Sequence, residues 1–335
     1  MNLGVLQLPE IEQPEEFFSF ETYKNYLQSL KLYVTRRYGI PPACFAAMKA
    51  TSTCQGILSG KHPGLPPGIK TDDIKKLLFN AWNTELVLVL PATISPDFVK
   101  YANHWSPVQA YYAVYLALQA YFRSSLEQTP KDHAATMNCV AEQIRSHNLF
   151  PPFWNVICEG APTPQGAKYT DLPAGITIKQ INPLTTPAAN DFWDWYGMLL
   201  RTTRKRQFEK KLKEAGNQFR TKKGTRRKRF TPQHKAQVLA TLRPTTLFDF
   251  LYRVRIRSNY EDADTFILGT MTTADAQEFN EALCLLTATT LFLLELHIAA
   301  RLGSQEIRCT IDEFMQADTQ GYSQKTIAFR RAFLL

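Results

Sequence analysis

Apolar residues recur at helical spacing along most of the chain. The first such stripe repeats at i, i+3, i+4 and i+7, the spacing of one face of an α-helix. Its residues are Tyr23, Tyr26, Leu27, Leu30 and Val34. The pattern predicts a helix that begins at Ser19 and ends at Gly39, just before two prolines. We expect the preceding Pro- and Glu-rich residues to lie over the surface of the fold.

Capping residues indicate where further helices begin. Ser106 is followed by Pro107 and Gln109, which predicts a capping box with proline at the first helical position and a helix to about Phe122. Comparable signals predict helices from Thr71, Thr129, Asp191, Thr231, Thr245 or Thr246, and Thr272 or Thr273. We expect the helix from Asp191 to continue through residues 201–213 and the last helix to end at Gly303.

Three stretches lack a clear helical signal. Residues 55–70 are rich in glycine and proline, which is typical of a loop. Residues 86–90 are either a short buried strand or the buried end of a helix, because periodicity does not distinguish the two. Residues 150–190 are rich in proline and predict an irregular segment with a short strand at residues 176–181.

Length and composition allow a large buried core. The chain has 335 residues, of which 44% are apolar and 21% charged, a balance typical of folded rather than disordered proteins. A chain of this length forms one large bundle with insertions or two modules. With helical periodicity dominant, the sequence predicts a mainly α protein.

Positive charge is concentrated in residues 201–235, which we call the basic segment. It holds fifteen Lys or Arg against two acidic residues, whereas the rest of the chain holds 24 basic and 28 acidic residues. Three phenylalanines are interleaved with these cations: Phe208, Phe219 and Phe230. Cations can follow a phosphate backbone while aromatic rings stack on unpaired bases. Nucleic acid is the favoured ligand, and a solvated loop or an acidic protein partner are the alternatives.

Several classes of protein are not indicated. The six cysteines include no Cys-x-x-Cys pair, so neither a zinc ribbon nor a disulfide framework is predicted. A Gly-rich phosphate loop, a nucleophile elbow and a metal-spaced His and Cys cluster are all missing, so we predict no metal and no cofactor. The chain shows no secretory signal, and the apolar run at residues 282–294 is shorter than the ~20 residues of a membrane span. We expect a cytoplasmic protein without a membrane partner.

A later stretch, residues 251–264, is rich in arginine and tyrosine. Helical spacing places one set of side chains on a single face and a second set on an adjacent face. The first set is Arg253, Arg257, Tyr260 and Asp264, and the second is Arg255 and Asn259. Guanidinium groups bind phosphate through planar, paired hydrogen bonds that neighbouring carboxylates can orient. An ion-paired helix inside a bundle uses the same residue types and is the alternative.

Three segments together resemble helical bundles of the HEPN type. Residues 106–115, SPVQAYYAVY, are similar to the Tyr-Tyr-Ala first helix of that family. Asp132-His133 at the start of the next helix is similar to a later family element, and so is Arg255-Ile256-Arg257-Ser258-Asn259-Tyr260 before the long final helix. The resemblance covers residues 100–150 and 240–302, under half of the chain.

The resemblance implies a bundle of four or five helices, usually paired into a dimer, of the prokaryotic toxin–antitoxin or antiviral-defence kind. It divides the chain into an N-terminal helical extension (1–100), the first part of the bundle (101–149), an irregular and basic insertion (150–240), and the second part with a C-terminal tail (241–335). The expected fold class is therefore a mainly α, HEPN-like helical bundle with an N-terminal helical extension and a basic insertion.

Active members of the family resemble metal-independent ribonucleases with an Arg-x(4–6)-His motif. Asn259 occupies the position of that histidine here, and an amide does not take up a proton near neutral pH. The implied catalytic residues are Arg255, Asn259, Tyr260 and His133, the last supplying an imidazole from another helix start. Arg229 and His234 also fit the spacing, but a capping proline lies between them and we interpret the match as coincidental. A catalytically silent subunit for dimerisation or assembly of a larger defence complex is the alternative function.

The predicted partner is nucleic acid, with RNA favoured over DNA. The predicted contacts lie in the basic segment and on the arginine-rich helix. They are Arg204, Lys205, Arg206, Lys210, Lys211, Lys222, Lys223, Arg226, Arg227, Lys228, Arg229, Arg253 and Arg257.

Overall fold

The computed structural model describes residues 14–334 except residues 61, 63, 127, 148, 217–218, 220–228, 262 and 268–271. This part of the chain forms fourteen α-helices and a single pair of short strands, which confirms a mainly α fold. The helices are α1 (Pro14–Tyr38), α2 (Ala43–Lys49), α3 (Ser52–Ser59), α4 (Thr71–Ile94), α5 (Pro96–Ala102), α6 (Ser106–Ser125), α7 (His133–Ser146), α8 (Phe192–Ala215), α9 (Pro232–Ala240), α10 (Leu247–Ile256), α11 (Ala263–Ile267), α12 (Thr273–Leu302), α13 (Ser304–Ala317) and α14 (Ile327–Arg331). The strands are β1 (Ile157–Gly160) and β2 (Ala167–Thr170), a π-helical turn spans Arg257–Glu261, and a 3-10 turn spans Tyr322–Lys325.

The centre of the fold consists of α6 and α12, which pack against each other. Helix α4 packs on α6 and helix α1 packs on α12, so the apolar faces of four long helices meet. Phe279, Leu286 and Leu293 of α12 are all buried in this core. Burial of each such side chain contributes about 1.5–3 kcal/mol to the free energy of unfolding. Buried residues of all four predicted segments, from Phe20 to Leu334, belong to the same core.

Several predicted helix ends are confirmed, and the contacts that cause them are visible. The apolar stripe of α1 is buried as its spacing predicts. At the start of α10, the backbone N–H of Thr246 donates to Asp249 Oδ2 at 2.9 Å in a capping box. At the start of α12, the Thr272 hydroxyl accepts from the backbone N–H of Asp275 at 3.0 Å. Gly303 ends α12 with φ +91°, a backbone conformation that favours glycine.

Other predicted boundaries are wrong or shifted. Residues 86–90 belong to α4, so the helical alternative for them is correct, and residues 55–59 belong to α3 rather than to a loop. The Ser106 hydroxyl donates to the carbonyl of Ala102 at 3.2 Å and forms no capping box, because the chain already has helical dihedrals at Trp105. Helix α7 begins at His133, with Asp132 rather than Thr129 as its N-cap.

The proline-rich residues between α7 and α8 contribute to the core, where Phe153 and Trp154 are fully buried. The strand predicted at residues 176–181 is not formed, and the strands lie earlier, with Cys158 of β1 paired to Tyr169 of β2. The reason is that this stretch lies against a helix, which supplies its hydrogen-bond partner. The backbone N–H of Lys179 donates to Asp194 Oδ1 of α8 at 2.6 Å.

A buried ionic network ties the C-terminal helix to the bundle. The Arg330 guanidinium of α14 donates to Glu85 Oε1 of α4 at 2.6 Å and to Glu295 Oε2 of α12 at 2.8 Å. The indole N–H of Trp82 donates to Glu295 Oε1 at 2.8 Å. Burial and the neighbouring Glu295 raise the pKa of Glu85, although Arg330 opposes the shift. Two carboxylates thus share one guanidinium in the interior.

In the part of the chain that the structure describes, two helices, α4 and α12, are long and apolar enough to cross a membrane by length and composition alone. In α12, 83% of the most apolar window is buried inside the fold, as in the core helix of a soluble protein, whereas the figure for α4 is 33%. The apolar window of α12 is therefore longer than the run at residues 282–294. These two helices are weak indications of a membrane location.

Candidate functional site

Parts of α6, α10 and the π-helical turn meet in a cluster of aromatic rings, which we call the tyrosine cluster. Its members are Tyr111, Tyr112, Tyr115, Tyr252 and Tyr260. The rings of Tyr111 and Tyr252 lie 5.4 Å apart between centroids, because α6 and α10 pack directly on each other. Arg255 and His133 both contact these rings. The three segments that carry the sequence resemblance thus lie side by side in the structure.

Arg255 lies within the tyrosine cluster and is only 7% exposed. Its guanidinium carbon is 5.1 Å from the ring centroid of Tyr112 and 5.4 Å from that of Tyr260. Nη2 donates to the Tyr112 hydroxyl at 2.8 Å, whereas Nε has no hydrogen-bond partner. No acidic residue in the described part of the chain forms an ion pair with Arg255.

Burial without a counter-ion is unfavourable for a guanidinium. The four cation–π contacts, at about 0.5–2 kcal/mol each, offset part of the several kcal/mol that desolvation of an ion costs, but they supply no counter-ion. The four rings around Arg255 provide cation–π contacts but no carboxylate to pair with the guanidinium. An anion placed beside it would gain a charge-assisted hydrogen bond.

His133 begins α7 and connects the tyrosine cluster to the neighbouring cleft. Its Nδ1 lies 2.8 Å from the Tyr111 hydroxyl, and its ring is 4.3 Å from that of Tyr115. Burial and the charge of Arg255 lower the pKa of His133 below its usual 6.5, which keeps the ring neutral at pH 7. Burial raises the pKa of Tyr111, so its phenol stays protonated. When Nδ1 carries the ring proton and donates to the Tyr111 oxygen, Nε2 keeps a free lone pair that can accept a proton.

The π-helical turn explains why Tyr260 contacts Arg255. In a regular α-helix the predicted neighbours of Tyr260 are Arg253 and Arg257. A π-helical turn instead brings residues five apart above one another, here Arg255 and Tyr260. The Tyr260 side chain remains 67% exposed and provides an aromatic surface beside the buried guanidinium. Asn259 is half-buried in the same turn, and its amide makes no hydrogen bond with the described residues.

A cleft of about 770 Å³ lies next to the tyrosine cluster, between α7, α8 and the turn before α10. His133 and Tyr252 line one end of it. Four cations and two carboxylates line its walls: Arg145, Lys210, Lys211, Arg243, Glu142 and Glu214. Its volume is within the range of ligand-binding clefts in proteins, roughly 300–1,000 Å³.

The predicted nucleic-acid contacts on α8 differ in how far their side chains are exposed to solvent. Lys205, Lys210 and Lys211 are exposed, and Lys211 Nζ donates to the carbonyl of Thr241 at 2.8 Å across the cleft. Arg206 is half-buried and forms an ion pair with Glu261 of the π-helical turn. Lys210 can approach a phosphate backbone directly, whereas Lys211 would exchange its hydrogen bond to Thr241 for one to phosphate.

The sequence predicts Arg204 as a nucleic-acid contact, but the structure places it inside the fold. It is 2% exposed, and its Nε donates to the carbonyl of Gly160 at 2.7 Å while Nη1 donates to that of Arg243 at 2.8 Å. The guanidinium therefore satisfies loop carbonyls inside the fold. It is not available to a nucleic acid.

Arg253 and Arg257 do not form one surface with Arg255, which agrees with the two adjacent faces on which helical spacing places them. Both lie near the ring of Tyr23 on α1, at 5.3 and 6.0 Å. Arg253 Nη1 donates to the Thr202 hydroxyl at 2.9 Å. They lie on the side of α10 that faces α1 and α8, whereas Arg255 faces α6.

Part of the predicted interface lies outside the described residues. This part consists of Lys222, Lys223, Arg226, Arg227 and Lys228. Arg229 is described and exposed. His234 completes the capping box of α9, where its backbone N–H donates to the Thr231 hydroxyl at 3.3 Å and its ring stacks on Phe219 at 4.3 Å. These contacts give His234 a structural role.

Sequence reasoning missed most of the tyrosine cluster as a unit. The signal was present, since Tyr111, Tyr112 and Tyr115 share a helix and Tyr252 precedes Arg255 by three residues. Among the described residues, no group of three or more His, Cys, Asp or Glu side chains could hold a metal ion.

Comparisons of the chain with protein-family models, with curated proteins and with solved structures found no match. The functional assignment therefore depends on the chemistry of the site.

Proposed function

We propose that this protein binds RNA in the cleft, with a backbone phosphate beside Arg255. The observation that carries the proposal is the buried guanidinium that has no carboxylate partner among the described residues, next to a cleft whose wall presents Lys210 and Lys211. A phosphate supplies the missing anion, and the two lysines extend the electrostatic attraction along the strand. The exposed ring of Tyr260 offers a stacking surface for an unpaired base.

The same site could cleave RNA without a metal ion. Neutral His133 accepts the proton of a ribose 2′-hydroxyl, whose oxygen attacks the adjacent phosphorus while the bond to the 5′-oxygen breaks. The leaving oxygen takes a proton from water, and the products are a 2′,3′-cyclic phosphate and a 5′-hydroxyl. Arg255 stabilises the negative charge of the phosphorane. In this arrangement His133 supplies the imidazole that Asn259 cannot.

We further propose that the chain is a HEPN-like bundle, as the sequence resemblance implies. The support is that Tyr111 and Tyr112, His133, and Arg255 come from three distant segments and lie in one cluster. A role in prokaryotic toxin–antitoxin or antiviral defence remains an extension of that resemblance. A cytoplasmic location accords with an RNA ligand.

The test of RNA binding uses fluorescence anisotropy with a labelled single-stranded RNA. Arg255→Gln should weaken binding by about tenfold or more, since a hydrogen bond to a charged group contributes about 1.5–3 kcal/mol. Arg253→Gln, a matched change on the opposite side of α10, should have little effect. Equal affinities of wild type and Arg255→Gln would reject the site.

Cleavage is tested on the same RNA in the presence of a chelator. Activity should survive chelation, disappear in His133→Ala and persist in His234→Ala. Because the pKa of His133 is lowered, activity should be retained at pH 6.5 and fall only as the pH decreases further. Loss of activity in His234→Ala but not in His133→Ala would contradict the assignment.

A subunit that assembles with other proteins is the second candidate. One observation favours it: large apolar side chains are exposed on α4, on α5 and just before α6. They are Ile94, Phe98, Tyr101 and Trp105. A patch of this kind commonly marks a protein interface. Wild-type protein that neither binds nor cleaves RNA, and that sediments as a dimer or larger species, would favour this function.

A further inference from the structure

A second pocket, of about 420 Å³, lies between the end of α1 and the start of α8. Its walls combine two arginines, Arg36 and Arg37, with the rings of Tyr33, Phe192 and Trp193. Counted along α8, Trp193 and Lys210 are seventeen residues apart, which is about 25 Å at the helical rise. This pocket is therefore separate from the cleft.

The aromatic rings form a continuous wall. Tyr33 stacks on Phe192 with 4.0 Å between centroids, and the Trp193 ring lies 5.7 Å from Tyr33. Phe192 is buried, whereas Tyr33 and Trp193 are partly accessible. Flat, partly accessible rings held by a buried one are suited to stacking against a nucleobase.

The two arginines are exposed at the rim. Arg36 Nη1 donates to Asn190 Oδ1 at 2.9 Å, which directs that guanidinium towards the pocket. Arg37 lies over the rings of Tyr33 and Tyr38, at 5.9 and 5.6 Å from their centroids. No carboxylate in the described ranges forms an ion pair with either one. Two neighbouring guanidinium groups without acidic partners can form paired hydrogen bonds with a phosphate.

From these features we infer that the pocket binds a nucleoside phosphate, with the base on Trp193 against the edge of Tyr33 and the phosphate on Arg36 and Arg37. The same chemistry is presented by a free mononucleotide and by the 5′-terminal nucleotide of an RNA strand. The volume fits one nucleotide and its water better than a longer chain, being at the small end of ligand pockets, roughly 300–1,000 Å³. The inference does not depend on RNA binding in the cleft.

Calorimetric titration of the full chain with AMP, adenosine and inorganic phosphate tests the pocket. AMP should bind more tightly than adenosine or phosphate alone, because each lacks one half of the recognised group. The double change Arg36→Gln/Arg37→Gln should weaken AMP binding by about tenfold or more. Lys76→Gln/Lys168→Gln, at two exposed lysines that line neither the pocket nor the cleft, is the control and should leave AMP binding unchanged.

A hexanucleotide with and without a 5′-phosphate distinguishes the two sources. A preference for the 5′-phosphorylated strand that Arg36→Gln/Arg37→Gln removes, without AMP binding, assigns the pocket to RNA ends. AMP binding that the double variant weakens assigns it to the free nucleotide. The inference is wrong if millimolar AMP and the phosphorylated strand both fail to bind there, or if the double variant binds both like the wild type. Melting temperatures of wild type and variant check that the arginines do not merely stabilise the end of α1.

Discussion

At the scale of the residue, the partners of a buried arginine decide what it can do. Arg330 is matched by two carboxylates, and Arg204 by backbone carbonyls, so both are structural. Arg255 has one phenol as its hydrogen-bond acceptor and four rings as its surroundings. Of these three, Arg255 alone retains unmet capacity for an anion. This difference is invisible in the sequence, where all three are single arginines on helices.

Replacement of Arg330 tests the structural role of the buried network. Arg330→Met leaves Glu85 and Glu295 buried without a counter-ion, and we expect a loss of about 3–5 kcal/mol in the free energy of unfolding. Urea denaturation measures the loss. Arg331→Met is the control, because its ion pair with Asp312 is partly exposed and contributes at most about 1 kcal/mol. Similar midpoints for the two variants would show that the network is not stabilising.

The buried side chain of His297 makes the free energy of unfolding depend on pH. Its Nε2–H donates to the Leu149 carbonyl at 2.8 Å, and burial lowers its pKa to about 4. The unfolded chain, with a pKa near 6.5, binds the proton more readily. Stability is therefore full above pH 6.5 and falls as the pH decreases towards 4, by about 3 kcal/mol in total.

Denaturation midpoints between pH 7 and 4 measure this contribution. His297→Gln should remove most of the slope that the wild type shows in this interval. His147→Gln is the control. His147 is the exposed C-cap residue of α7, so this variant should keep the slope. An identical slope in the wild type and in His297→Gln would contradict the assignment.

At the scale of the element, helix positions could be predicted because caps and periodicity are local. Thr246, Thr272 and Gly303 each act through residues within one turn, so the sequence contains the whole cause. The β1–β2 pair and the coil at residues 176–181 are decided by contacts with α8, which lies beyond the local sequence. The π-helical turn changes the phase of Tyr260 by one residue, and a pattern read at 3.6 residues per turn does not detect it.

The positive charge of the basic segment predicts that RNA affinity depends strongly on salt concentration. Neutralising Arg226, Arg227, Lys228 and Arg229 should reduce the slope of log affinity for single-stranded RNA against log salt by up to about 3, roughly 0.7 for each phosphate that is no longer neutralised. Affinities measured between low and moderate salt give the slope. The control neutralises four exposed lysines outside the segment, Lys70, Lys76, Lys168 and Lys325, and should leave the slope unchanged. Equal slopes in both variants would show that the basic segment does not contact RNA.

At the scale of the whole molecule, a single hydrophobic core includes buried residues from all four segments into which the sequence resemblance divides the chain. Composition and periodicity could predict a mainly α fold, and the sequence resemblance could indicate that His133 lies near Arg255, since both contact the ring of Tyr112. The burial of Arg204 could not be predicted, because it follows from how β1 and the turn before α10 pack against α8. Contacts between distant elements determine which of several similar cations reaches the surface.

The shared core predicts that one buried charge destabilises the whole fold. Leu251 of α10 is 2% exposed, so Leu251→Asp loses apolar burial and buries an unpaired carboxylate. The combined cost of several kcal/mol is comparable to a typical total of ~5–15 kcal/mol, and we expect the variant to be unfolded by circular dichroism. Ile40→Asp is the control at an exposed apolar position. A folded Leu251→Asp with the wild-type melting temperature would contradict the described packing.

Cross-linking of the protein to single-stranded RNA by ultraviolet light, followed by mass spectrometry, tests the central claim most directly. Bound RNA should cross-link to peptides that contain Tyr252 and Tyr260 beside Arg255, and to peptides of α8 that contain Lys210 and Lys211. Arg255→Gln should lose the first set of cross-links. Absence of cross-links, or cross-links confined to regions outside the cleft and the tyrosine cluster, would contradict the proposed RNA site.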